Sequence, residues 1–99
     1  MYENYYYLWS NIRTLLSEGF TNDELRRLAF DLSDLKPVYD QLTENTSKDE
    51  IIDRLIVHAN QKLQVENLLA LAKERNPARY DKHRPYHYFT SGACQKFLG

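Results

Sequence analysis

Three histidines, one cysteine and eight tyrosines are the side chains with chemical potential in this chain of 99 residues. His83 and His87 stand four apart, the spacing that puts two imidazoles on one face of a helix for a metal ion. Pro85 lies between them and breaks such a helix, so both are expected in solvent. His58 falls late in a helical stretch, off its apolar stripe, where an imidazolium favours the negative end of the helix and has no catalytic partner. Cys94 follows Thr90-Ser91-Gly92-Ala93 with no His–Asp arrangement around it, and is expected to be an inert exposed thiol. A single cysteine excludes an internal disulfide framework and a multi-cysteine zinc site. Gly92 stands alone, so no glycine-rich loop cradles a phosphate. No nucleophile, acid–base pair or metal set emerges with workable spacing. The chain is therefore expected not to be an enzyme and to need no cofactor.

The tyrosines fall into two clusters. Tyr2, Tyr5, Tyr6 and Tyr7 precede Trp9, and Tyr80, Tyr86 and Tyr88 lie near the C-terminus. Some are expected in the core and others beside it, although Tyr and Trp are also enriched where partners dock. The run from Arg79 to Phe89 interleaves basic and aromatic residues, a pattern that can serve single-stranded nucleic acid. A linker, or a segment packing back on the domain, explains it more simply.

Charge supplies the remaining candidates. Thirteen basic and fourteen acidic residues give a net charge of −1 and no global attraction to nucleic acid or an anionic membrane. Residues 1–75 hold nine basic and thirteen acidic residues, and the remainder holds four and one. Asp23, Glu24, Arg26, Arg27 and Asp31 decorate one helical stretch, and Asp49, Glu50, Asp53 and Arg54 another. Such charges usually form a solvated face. Complementary patches on different faces of a small module also let copies join head-to-tail, and a contact of that kind need not close.

The elements that carry these charges are helical. Tyr5, Leu8, Trp9, Ile12, Leu15 and Leu16 recur at helical spacing, predicting a first helix over about 4–18, capped by Asn4 and stopped by Gly19. Thr21-Asn22-Asp23-Glu24 is a capping box, with Phe20 and Leu25 placed as a hydrophobic staple. Leu25, Leu28, Ala29 and Leu32 then predict a helix over about 22–33. Pro37 suits the first position of a short helix over about 37–42. Ser47-Lys48-Asp49-Glu50 is a second capping box, before Ile51, Ile52, Leu55, Ile56 and Ala59 on a helix over about 48–60. Leu63, Leu68, Leu69, Leu71 and Ala72 give a last helix over about 62–75, divisible near Gln64 and ended by Asn76-Pro77. Nothing alternates with period two. The fold class is all-α, a compact bundle of five to six short antiparallel helices over residues 1–76. Residues 77–99 form a linker or C-terminal extension. No stretch reaches membrane-span length and the N-terminus lacks signal-peptide character, so the expected location is cytoplasmic.

The run Leu25-Arg26-Arg27-Leu28-Ala29-Phe30-Asp31-Leu32 resembles the second-helix signature of the effector-associated domains, the bacterial death-like domains of conflict systems. Leu15, Leu16 and Phe20 before it, Tyr39 and Leu42 after it, the capped helix over 47–59, and Leu68, Leu69 and Arg75-Asn76-Pro77 continue the likeness in order, over about residues 8–77. Where the family often has glycine after the second helix, this chain has Ser33-Asp34-Leu35-Lys36-Pro37.

The resemblance implies a death-domain-like bundle that binds like with like. The partner would be itself or another death-like domain, joined to a fused or recruited effector of the peptidase, TIR or nucleotide-hydrolysing kind. The setting would be bacterial defence or programmed cell death, with no nucleic acid or membrane involved. The domain would either stand alone or begin a longer protein. The residues expected to carry docking are Arg26, Arg27, Asp49, Glu50, Asp53 and Arg54, with Asp23, Asp31 and Asp34 next. Exposed charges contribute about 0–1 kcal/mol to folding, so their substitution should affect assembly more than stability. A helix-turn-helix-like nucleic-acid binder is the alternative, disfavoured by the net −4 of the helical part. A metal-dependent or hydrolytic enzyme is a remote third.

Overall fold

Residues 5–89 are described by a computed structural model, with side chains over residues 7–88. Tyr2, the expected cap Asn4, Gly92 and Cys94 lie outside the described residues. Six α-helices follow one another: α1 (Trp9–Gly19), α2 (Asn22–Asp31), α3 (Lys36–Gln41), α4 (Lys48–Gln61), α5 (Val65–Arg75) and α6 (Pro77–Lys82). A 3-10 turn, Ser33–Leu35, leads into α3. A two-stranded antiparallel ribbon, β1 (Tyr5–Tyr7) with β2 (His87–Phe89), joins the two ends of the described chain. The class is the all-α bundle expected.

One apolar cluster holds the helices together. Ile12, Leu15 and Leu16 of α1, Leu25, Leu28 and Ala29 of α2, Ile51, Ile52, Leu55 and Ala59 of α4, and Leu68, Leu69 and Ala72 of α5 are all almost fully buried, with Phe20, Leu35, Val38, Ile56, Val65 and Tyr86 completing the core. These are the stripes at i, i+3 and i+4 that amphipathic helices present to a shared interior.

Local signals set most helix starts. The Thr21 hydroxyl accepts from the Glu24 amide at 3.2 Å, and Glu24 accepts from the Thr21 amide at 2.9 Å, so the first capping box is complete. The second is half formed. The Ser47 hydroxyl accepts from the Glu50 amide, but the Glu50 carboxylate turns outward to the Arg54 guanidinium at 2.8 Å. Charge-assisted pairing within one helix face has displaced the return bond.

Three expectations are corrected. The first helix starts at Trp9, not near residue 4, because the backbone of residues 5–7 is spent on β2 and the Leu8 amide donates to the Tyr86 carbonyl at 2.9 Å. Trp9 is consequently 36% exposed and lies off the core, its ring 5.1 Å from that of Tyr7. Gly19 is the last residue of α1, and the chain leaves through an extended Phe20 with φ −143°. Its glycine is explained by close approach instead: a Cβ there would meet the Arg79 Cβ at 3.3 Å and Asn76 Nδ2 at 3.4 Å.

Residues 77–89 pack back on the bundle. Asn76 ends α5 and also caps α6, its Oδ1 accepting from the Arg79 amide while its Nδ2 donates to the Gly19 carbonyl at 2.7 Å. Pro77 thus stops one helix and starts another. Tyr86 is 2% exposed, donates its hydroxyl to the Tyr80 carbonyl at 2.6 Å, and sets its ring at 4.8 Å from the Tyr80 ring, tilted by 44°. Asn11 Nδ2 donates to the Pro85 carbonyl at 2.8 Å. No helix among the described residues is long and apolar enough to cross a membrane.

Candidate docking surface

The charges singled out in the sequence divide by what holds them. Arg26 is committed to the fold. Its Nε donates to Asn22 Oδ1 at 2.6 Å and its Nη2 to the carbonyls of Thr43 and Thr46, at 2.7 and 3.3 Å. It therefore clamps the start of α2 to the loop before α4. Asp31 pairs with Arg75 of α5, and Asp53 pairs with Arg13 of α1. Arg54 holds Glu50 and also donates to Gln41 Oε1 of α3 at 3.1 Å. Among the described residues, Arg27, Asp23, Asp34 and Asp49 keep side chains that make no ion pair or hydrogen bond. Asp23 and Asp49 sit in the first turns of α2 and α4, where they complement the positive helix ends.

Two hollows flank α3. One, of about 300 Å³, is lined by Arg27, Phe30, Asp31 and Tyr39. The other, of about 270 Å³, is lined by Val38, Gln41, Asp53, Arg54, Val57, His58 and Gln61. The structure thus gathers Arg27 with Asp31, and Asp53 with Arg54, but on separate sides of one short helix.

The first hollow has the chemistry of a binding surface. Phe30 is 50% and Tyr39 39% exposed, with their rings edge-to-face at 5.1 Å. The Lys36 ammonium stands 5.8 Å from the centre of the Phe30 ring, and Arg27 lies unpaired on the rim. A preformed aromatic pair beside a free guanidinium has the composition of an interface anchor, large contact area at little conformational cost with charge to orient it. The sequence carried a signal for this pair. Phe30 is one position past Ala29, about 100° around the helix and off the Leu25–Leu28–Ala29 stripe, so an aromatic there had to face outward.

The histidines join no group of three or more His, Cys, Asp or Glu side chains that could hold a metal ion among the described residues. Nor do the last two sit free in solvent, as expected. His87 Nε2 lies 2.6 Å from Glu66 Oε2, which also accepts from the Tyr7 hydroxyl at 2.8 Å. The His83 side chain is 12% exposed, its Nε2 3.4 Å from Glu18 Oε1 but misaligned for a hydrogen bond. His58 Nε2 meets the Asp34 carbonyl at 3.0 Å, tying α4 to the turn before α3. Burial and the Glu66 carboxylate push the Tyr7 phenol up to about 12. His58, His87 and Tyr7 each tie two elements together, whereas the His83 Nε2 makes no hydrogen bond.

Comparison with known proteins gives one family. The model of effector-associated domain 7 matches residues 12–77, from the first core residue of α1 to the first residue of α6. No curated protein and no solved structure shows a match.

Proposed function

The chain belongs to the effector-associated domain 7 family, and from that premise we propose that it is a non-enzymatic, death-domain-like adaptor that binds like with like, either a second copy or a related domain. Its task is to recruit or oligomerise an effector, of peptidase, TIR or nucleotide-hydrolysing type, in bacterial defence or programmed cell death. The observation that supports this most is the exposed Phe30–Tyr39 pair beside the unpaired Arg27. Two half-exposed rings and a free cation gathered on one surface have the composition of a docking face.

Neighbouring arginines separate docking from folding. Arg27→Glu is expected to leave the melting temperature within about 2 °C, because the side chain makes no contact that stabilises the fold, and to weaken self-association about tenfold by reversing a rim charge. Arg26→Ala is expected to lower stability by about 1–3 kcal/mol, leaving carbonyls of the 43–46 loop without their donor. Size-exclusion chromatography with light scattering over a concentration and salt series, beside thermal unfolding, checks both. Self-association of Arg27→Glu equal to that of the unmodified chain would contradict the assignment of this face.

A further inference from the structure

Leu63 is the one described non-glycine residue with positive φ, at 58°, and its side chain is 86% exposed. It occupies the position after the α4 C-cap where glycine is usual. The Gln64 amide donates to the Ala59 carbonyl at 2.7 Å and the Leu63 amide to Asn60 at 3.3 Å, so the full glycine-type helix end is built with a leucine in its left-handed slot. A branched side chain is disfavoured in that conformation, and an exposed one gains little burial in return. Folding alone gives no account of this residue.

We propose that Leu63 is a docking knob whose receptor is the Phe30–Tyr39 hollow of a second copy of this chain. This deepens, and rests on, the reading of the domain as a like-with-like adaptor. The hollow's 300 Å³ holds a leucyl side chain, and its rings give that side chain an apolar wall. The charges around the two features are complementary. The Leu63 corner presents an unpaired Lys62 ammonium and the C-terminal end of α4, which carries partial negative charge. The hollow presents the free Arg27 guanidinium, while the Asp31 carboxylate beside it is already held by Arg75. The guanidinium can face the partner's helix end.

The two features cannot meet within one molecule. Asp31, on the rim of the hollow, pairs with Arg75 at the end of α5, whereas Leu63 lies just before that helix begins at Val65. Eleven helical residues separate them by about 15 Å. Each copy therefore has a knob at one end of α5 and a receptor at the other. One such contact leaves a free knob and a free receptor, so the pair can close reciprocally, or repetition can extend it into a ring or a helical filament.

The test exploits opposite signs for folding and assembly. Leu63→Gly is expected to keep or raise the melting temperature, since glycine takes the left-handed slot freely, and to weaken self-association at least tenfold by light scattering. Leu63→Asn, also tolerant of positive φ, is expected to behave alike. Phe30→Ser removes the receptor and keeps the knob. Mixing Phe30→Ser with Leu63→Gly is expected to yield a 1:1 pair, because the intact receptor of the latter takes the intact Leu63 of the former. If Leu63→Gly assembles as the unmodified chain does while Phe30→Ser does not, the hollow has another occupant. The knob assignment then falls and the adaptor reading survives. An unmodified chain that stays monomeric at every concentration removes self-association and the knob together.

Discussion

Replacing Tyr86 with alanine is expected to lower unfolding stability by about 3–5 kcal/mol, the cost of emptying a large aromatic from a packed interior. Tyr86 lies 2% exposed in a segment whose composition suggested a linker. Its ring closes the core cluster, and its backbone carbonyl receives the Leu8 amide at the entry to α1. Chemical denaturation of the full chain measures the loss, and an unchanged midpoint would show that the segment is not part of the folded unit. The phenol adds a pH signature. Burial, before the neighbouring Tyr80 and Asp81, pushes it from 10.0 up to about 12. A folded-state value above the unfolded one means that this stabilisation is complete below pH 10 and is lost as pH rises from 10 to 12. The loss is on the order of 2 kcal/mol by linkage. Tyr7, raised in the same way, titrates in the same window, so Tyr86→Phe is expected to reduce the alkaline loss and not to abolish it.

Residues 77–89 are therefore a strap. Asn76 joins the end of α1 to the start of α6, Arg79 pairs with Glu18 at 3.0 Å, and β2 closes on β1. The family match ends at residue 77, so these contacts extend the matched bundle. They also place Tyr7 against the C-terminal segment, its ring 5.1 Å from that of His87.

Phe30→Ser carries the largest expected effect on function: self-association at least 30-fold weaker, the scale of a hot-spot loss of about 2 kcal/mol. The ring is half exposed and packs on Tyr39, not in the core. Its removal is expected to cost under about 1 kcal/mol of folding stability. Tyr39→Ser is expected to follow the same pattern more weakly, since it leaves Phe30 in place. Sedimentation velocity on folded variants reads the association, and circular dichroism confirms the fold. Full association in Phe30→Ser would remove the hollow from the account.

What was legible in the sequence was what is local. The Thr21–Glu24 box and the stripes Leu25–Leu28–Ala29 and Ile51–Ile52–Leu55 depend on neighbours within a turn or two, and they set α2 and α4 to within a few residues. The ribbon was hidden because a three-residue strand has no measurable period, and the partner of Tyr5–Tyr7 lies some eighty positions away. Gly19 was assigned a conformational role when its actual constraint is a helix from the other end of the chain. Which of the candidate docking charges are free is a question of distant partners. Arg26 reaches loop carbonyls that no pattern announces, while its neighbour Arg27 reaches nothing. Phe30 entered as part of the second-helix run and Tyr39 as a match in the short third element, and only the fold brings the two together. Leu63 fitted the apolar period of the last helix, and that period concealed its place in the turn before α5.

The central claim is that this family member docks like with like through the α2–α3 face. A dilution series of the unmodified chain, followed by amide chemical shifts, tests it most directly. The account predicts concentration-dependent shifts concentrated at Arg27, Phe30, Asp31 and Tyr39. Shifts that do not change with concentration, or that cluster on other faces and spare these four, would contradict it.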